Sequence, residues 1–340
     1  MTTLQNPTFG TDPSGLICGF LFGPDGSGLA MDTRSALAWI AGSDTPETSG
    51  FVWLHFNLSQ ASTEKWLHQN LPLSQLFTES INDGSRSTRV ELDDDTLVAV
   101  VNDVHYDFDF EPSDISTLWL SVGPHLVVSA RLQPLRSIDR LRDAVKKGAR
   151  LRSSIDLLVH LMHDQGDVLV NIVRGTSARV DEIEDKLLAG KLETKRASLG
   201  SLRRLLVRLQ RLLAPEPAAM FRLLKSPPAW MQQDDVEDLR QSTEEFNVTL
   251  SDMTALQERI KLLQEEIAGR VAEANNRSLF VLTIVTVLAL PINIMTGMFG
   301  MNVGGIPLAE HPWGFWLVVS LITLITLVAG WIAFNNTRNK

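Results

Sequence analysis

"SLFVLTIVTVLALPINIMTGMFGMNV", residues 278–303, decides how the whole chain must be built. It contains no Asp, Glu, Lys, Arg or His. A helix of this length, rising about 1.5 Å per residue, crosses about 30 Å of hydrocarbon. A buried core helix so long would carry a polar face, so the run is read as a membrane span. A second uncharged run extends from Trp313 to Asn335. Neither run is a signal peptide, because both lie toward the C-terminal end, and "MTTLQNPTFGTDPSG" at the other end has neither a basic start nor an apolar stretch. The expected layout is a first transmembrane helix at 278–298, an outer loop at 299–312, a second transmembrane helix at 313–334 and a basic tail at 335–340.

The flanking charges give an orientation. Arg277 precedes the first span, Arg338 and Lys340 follow the second, and the loop between carries no Lys or Arg. Both termini are therefore expected in the cytoplasm, with the loop outside. The single cysteine, Cys18, excludes an intramolecular disulfide and agrees with a reducing compartment. A net charge of −9 disfavours nucleic acid as a partner and gives a mild attraction for cations.

Upstream of the spans, residues 1–150 read as an α/β domain. Strand-like runs are "GLICGFLFG", "FVWLHFNL", "TLVAVVNDVHY" and "ISTLWLSVGPHLVVSAR", the last broken by a Gly123-Pro124 turn. Helical periodicity marks "STEKWLHQNL" and "PLRSIDRLRDAVKKG". "ELDDD" at 91–95 reads as a turn between strands. From 151 to 277 the pattern is helical. Helices are expected at 153–189 and 194–213, with breaks at "APEP" and "SPPAW" and a new helix from about Gln232. Leu239, Phe246, Met253, Ile260, Ile267 and Ala274 recur every seven positions, which predicts a coiled-coil-like seam on a long stalk. Val236, Leu250 and Val271 form a less regular second row, interrupted by Thr243, Gln257 and Gln264. The competing reading is an amphipathic helix packed on its own domain.

The two spans differ in chemistry. The second has tryptophans near both ends, as a lipid-facing helix does. The first carries Thr283, Thr286, Asn293 and Thr296, which fall within about 140° at 100° per residue. Two spans cannot enclose a polar path, so transport requires an oligomer with this stripe lining a central pore. The alternative is that the threonines bond back to their own helix and Asn293 bonds a neighbour. Pro291 frees the carbonyl of Val287. Gly297 and Gly300 permit close approach of copies, after which Asn302 could form a ring of amide oxygens, or cap the helix.

Gly300-Met301-Asn302, after a proline-containing span and before a short loop and a second C-terminal span, resembles the signature of the CorA family of divalent-cation transporters. The continuation Gly304-Gly305-Ile306-Pro307 and "GFW" at 314–316 resemble its zinc-transporting ZntB branch. The resemblance implies a CorA-like funnel-shaped homopentamer, an α+β cytoplasmic domain with a long helical stalk and two C-terminal transmembrane helices, set in a bacterial inner membrane. It also implies that Asn302, Asn293 and Thr286 face the pore. The family's acidic loop is reduced to Glu310.

Zinc prefers nitrogen and sulfur ligands once stripped of water, whereas this path offers amide, hydroxyl and carbonyl oxygens, so a largely hydrated ion is expected to pass. Zinc itself thus rests on the branch resemblance, with magnesium, cobalt or nickel as the alternative cargo. Glu310 and His311 are the candidate recruiting pair at the entrance. His160, His163, Asp164 and Asp167, at i, i+3, i+4 and i+7, are a candidate regulatory metal group. An inside-negative potential favours divalent uptake by about 4.6 kcal/mol per 100 mV. The spans hold no ionisable residue, so a coupled proton would travel through water, with the metal, or by groups outside them. No cofactor is expected, and the absence of a P-loop, nucleophile elbow or metalloprotease pair argues against an enzyme. A membrane-anchored coiled-coil scaffold or sensor is the competing function.

Overall fold

The structure, a computed structural model, describes residues 14–42, 50–84, 87–109, 114–189, 196–301 and 311–338. It divides into two units, Met1–Gln264 and Glu265–Lys340.

The first unit is built on a seven-stranded sheet in the order β2-β1-β3-β7-β6-β5-β4. Its strands are β1 (Leu16–Phe22), β2 (Gly28–Ala30), β3 (Phe51–Asn57), β4 (Arg89–Asp93), β5 (Thr96–Val104), β6 (Ile115–Val122) and β7 (Leu126–Arg131). Among the described strands only the β3–β7 pair is parallel. The central strands are apolar throughout because both faces are covered. Along β5, Leu97, Ala99 and Val101 face one core while Val98 and Val100 face the other. The second core is closed by α1 (Thr33–Gly42), α2 (Thr63–Asn70) and α3 (Gln75–Asn82), through Ala36, Leu67 and Phe77. The first core lies under α4 (Arg136–Lys146), α5 (Ser154–Leu188), α7 (Pro215–Lys225) and the start of α8 (Gln233–Phe299).

Local chemistry sets the element ends. Ser153 caps α5, its hydroxyl accepting from the Asp156 N–H at 2.9 Å and donating to Asp235 of α8 at 2.6 Å. α6 (Arg196–Leu213) stops at Ala214, and Pro215 starts α7 at once, so "APEP" is a one-residue joint followed by a helix. "ELDDD" is only partly a turn. Residues 91–93 belong to β4, and Asp94, at φ 51°, turns the chain into β5. Gly50, at φ +137°, leads into β3, and a Cβ there would stand 2.3 Å from the Phe22 carbonyl oxygen. Gly50→Ala is expected to cost about 1–3 kcal/mol, read as a lowered unfolding midpoint of the purified protein.

α8 continues from the first unit into the second as one helix of 67 residues, about 100 Å. The heptad row is buried at Leu239, Phe246, Met253, Ile260 and Ile267, within a single chain. Of the expected second row, Val236 and Leu250 are buried and Val271 is exposed, and a further buried row runs through Ser242, Thr249, Leu256 and Leu263. Two hydroxyls hold core positions because each donates to a main-chain carbonyl, Ser242 to Val159 at 3.5 Å and Thr249 to Glu245 at 3.2 Å. Arg259 fastens α8 to α5 through Asp181, at 2.7 Å, and Glu184. The amphipathic helix packed on its own domain therefore describes this stretch, not a seam between chains. Beyond Ile267 the pattern opens, and Val271 and Ala274 are exposed.

The second unit holds the remainder of α8 and α9 (Gly314–Arg338). α8 contains a stretch long and apolar enough to cross a membrane, none of it buried in the chain, and Gly314–Val328 of α9 is a shorter apolar run.

Candidate functional site

From Leu279 to Phe299, α8 is unburied and apolar except along one stripe. Thr283, Thr286 and Thr296 donate to the carbonyls of Leu279, Leu282 and Ile292, at 2.8, 2.9 and 2.7 Å. Bonding back to the helix uses the hydroxyl proton and leaves the oxygen lone pairs facing outward, so the local bond and a pore-facing role coexist. Asn293 lies on the same arc, with its amide exposed and no hydrogen bond among the described residues. An unpaired amide is costly in hydrocarbon, which demands a partner from another copy or from water. Pro291 lies inside the helix without ending it.

α8 ends at Phe299, and the Gly300 N–H still bonds the Thr296 carbonyl at 2.9 Å. Gly297 and Gly300 fall on the polar arc at 100° per residue, and a Cβ at Gly297 would meet nothing within 4 Å. This face is bare enough for close approach of a second helix. Met301 is exposed. Asn302, Gly304 to Pro307 and Glu310 lie outside the described residues. Of the proposed entrance pair, His311 accepts the Trp313 N–H on Nδ1 at 3.2 Å, just before α9 begins. In the neutral ring the remaining proton then sits on Nε2, so neither nitrogen is open to a metal without a rearrangement.

The histidine and aspartate face of α5 is occupied by ion pairs. Arg140 of α4 reaches both Asp164, at 3.3 Å, and Asp167, at 3.2 Å. His160 pairs with Asp156 at 3.1 Å, and His163 with Glu245 of α8 at 3.7 Å. The hydrogen bond to Asp156 raises the His160 imidazole above its usual range, favouring the cation, which is not a metal ligand. Burial works to raise the Asp156 carboxyl, but His160 and the Arg152 N–H hold it low. Among the described residues no three His, Cys, Asp or Glu groups are placed to hold a metal, so the spacing of His160, His163, Asp164 and Asp167 does not produce a metal cluster here.

Two buried groups escaped the sequence reading. Glu216, in the first turn of α7, is fully buried and neither carboxyl oxygen has a hydrogen-bond partner among the described residues. Burial, aided by Asp103, pushes it up to about 8, so it is a neutral acid at pH 7. Asp103 accepts the Ser137 N–H and O–H at 2.8 and 2.9 Å, anchoring the start of α4, and burial pushes it up to about 6. Nearer the middle of the sheet, Arg131 donates to His55 Nε2 at 3.1 Å. A guanidinium only donates, so the His55 proton sits on Nδ1 and is given to Ser129 Oγ at 2.8 Å, an oxygen that also accepts from Trp53 at 2.8 Å. Burial, with Arg131 and Arg142 nearby, holds this imidazole neutral, well below its usual range. Asp139 bridges Arg142 at 2.9 Å and Arg131 at 3.9 Å, which ties α4 to β7. Burial pushes the Cys18 thiol up to about 12, so it is no thiolate ligand. These networks brace the domain.

Comparison with known proteins fits this arrangement. The family described as "CorA-like Mg2+ transporter protein" matches residues 48–334. The divalent cation transporter CmaX of Pseudomonas aeruginosa is 28% identical over 94% of this chain and 96% of its own. The zinc transport protein ZntB of Yersinia enterocolitica is 28% identical over 82% of this chain and 86% of its own. A solved structure of full-length CmaX superposes with a TM-score of 0.79 at 26% identity, over 96% of this chain and 99% of that one. These relatives are transporters rather than enzymes. A sheet domain, one helix running out of it into an exposed apolar stretch, and a second apolar helix make this chain a member of the CorA-like Mg2+ transporter protein family.

Proposed function

We propose that the protein moves divalent metal cations, zinc foremost, into the cytoplasm of a bacterium through a path lined by the first span of α8 in a homo-oligomer of five copies. The observation that carries this is the arc of Thr283, Thr286, Asn293 and Thr296 on an otherwise apolar exposed helix that runs into Gly300-Met301-Asn302. Hydroxyl and amide oxygens of neutral side chains suit a cation that keeps most of its water, because none of them binds it tightly enough to stop it. In this reading Asn302 rings the outer mouth, both termini face the cytoplasm, and α9 faces lipid with its exposed Trp316 and Trp331. The membrane potential supplies the driving force.

Zinc is favoured over magnesium by the likeness to ZntB and by the continuation Gly304 to Pro307 after the motif. The second reading is magnesium transport, favoured by the family's own description and by the all-oxygen path. The scaffold reading loses its main support, since the heptad row it relied on is buried within one chain. Competition flux in proteoliposomes separates the two cargoes, with zinc, magnesium, cobalt, nickel and cadmium offered at two pH gradients. Excess magnesium is expected to leave zinc flux within about twofold. Magnesium carried faster than zinc, and blocking it, would remove zinc from the proposal. A flux that rises with an inward proton gradient at fixed voltage marks proton coupling, carried through water or with the metal.

A further inference from the structure

α6 is the most one-sided helix of the first unit in charge. It carries five arginines and no acid, in a chain whose net charge is −9. Arg203, Arg204, Arg208 and Arg211 fall within about 140° of one another, with the exposed Val207 in their midst. None of the four makes an ion pair among the described residues, although α6 lies beside α8, where Gln210 donates to Thr254 at 2.8 Å. The acidic counterpart is on α8. Asp234, Glu237, Glu244 and Asp252 are exposed, fall within about 80°, and are equally without ion pairs among the described residues. Val248 sits in the middle of that arc. The two valines are 46% and 61% exposed, large for β-branched apolar side chains with charges on either side.

The arginine stripe runs about 12 Å, from 203 to 211 on α6, and the acidic stripe about 27 Å, from 234 to 252 on α8. One chain thus presents two strips of opposite sign, each holding an exposed valine, that form no ion pair with one another among the described residues. We infer that the arginine face of α6 on one protomer docks against the acidic face of α8 on the next copy, with Val207 and Val248 at the centre of the contact. The two surfaces differ, so the contact is heterologous and propagates from copy to copy until a ring closes, as a central path requires. Exposed pairs are individually weak, and it is the row of them, desolvated around a valine pair, that selects the register.

This inference rests on the oligomeric reading of the pore and is tested on the full chain in detergent micelles, by mass photometry during dilution. The variants are R203E/R204E/R211E, E237R/E244R and the two combined, with R203Q/R204Q/R211Q as a milder form should a reversal fail to fold. Either reversal is expected to raise the concentration at which the assembly dissociates at least about tenfold at 0.15 M salt, and the combined reversal to restore it to within about threefold. The wild type should weaken as salt rises. An assembled wild type with an unaffected reversal, or a combination no better than its parts, overturns the docking while leaving the pore intact. A monomeric wild type overturns both.

Discussion

Asn302→Ala is expected to reduce zinc flux at least about tenfold at equal protein level, while the oligomer survives. One tenfold step corresponds to about 1.4 kcal/mol on the transport barrier, and removing an amide from every copy at once deletes a whole ring of oxygens. A lost helix cap acts on stability, so an oligomer that survives with reduced flux assigns the loss to the path. Asn302→Gln keeps the amide but moves it outward by one methylene. Partial flux in that variant is expected if oxygens at the mouth matter. Flux equal to wild type in Asn302→Ala would remove the residue from the path. Proteoliposome uptake with a zinc-sensitive dye reads each case.

Glu216→Gln is expected to change how stability depends on pH. The folded carboxyl is pushed up to about 8 from an ordinary 4.5, so between these values the folded chain holds a proton that the unfolded chain has lost. Stability therefore falls as pH rises from about 4.5 to 8, by about 5 kcal/mol for this group alone, and is level above and below. Asp103, pushed up to about 6, adds loss of the same sign over the lower part of that window. Glutamine cannot ionise. Relative to wild type, the variant should gain about 5–10 °C in unfolding midpoint between pH 5 and pH 8. Parallel pH profiles would mean that Glu216 finds a partner or water when it ionises.

Several elements are legible in the sequence for a physical reason. β3, β5, β6 and β7 read as apolar runs because both faces of the sheet are covered, and the spans read as spans because hydrocarbon excludes charge. Other elements are hidden by their edges. β2 has three residues and β4 reads "RVELD", an edge strand whose polar residues give no alternation strong enough to notice. On α8 the further buried row begins with Ser242 and Thr249, which resemble surface residues until their main-chain partners are known. Glu216 was hidden by its neighbours, since Pro-Glu-Pro suggests a break, whereas Pro215 starts α7 and carries the acid into the core.

The candidate site divides the same way. The polar arc on α8 follows from spacing alone, because a straight helix fixes the angle between residues. The grouping of His160, His163, Asp164 and Asp167 followed from spacing too, and there spacing misled. Arg140, distant in sequence and brought in by α4, takes up the negative charge that the carboxylates would otherwise offer a metal. No periodicity within one helix can reveal a counter-ion on another.

Flux by the purified full chain tests divalent-metal transport most directly. In liposomes holding a zinc-sensitive dye, with an inside-negative potassium diffusion potential, zinc should appear inside faster than in protein-free vesicles, and faster still as the potential grows. Zinc uptake no faster than in protein-free vesicles, from protein shown to be folded and assembled, would contradict it.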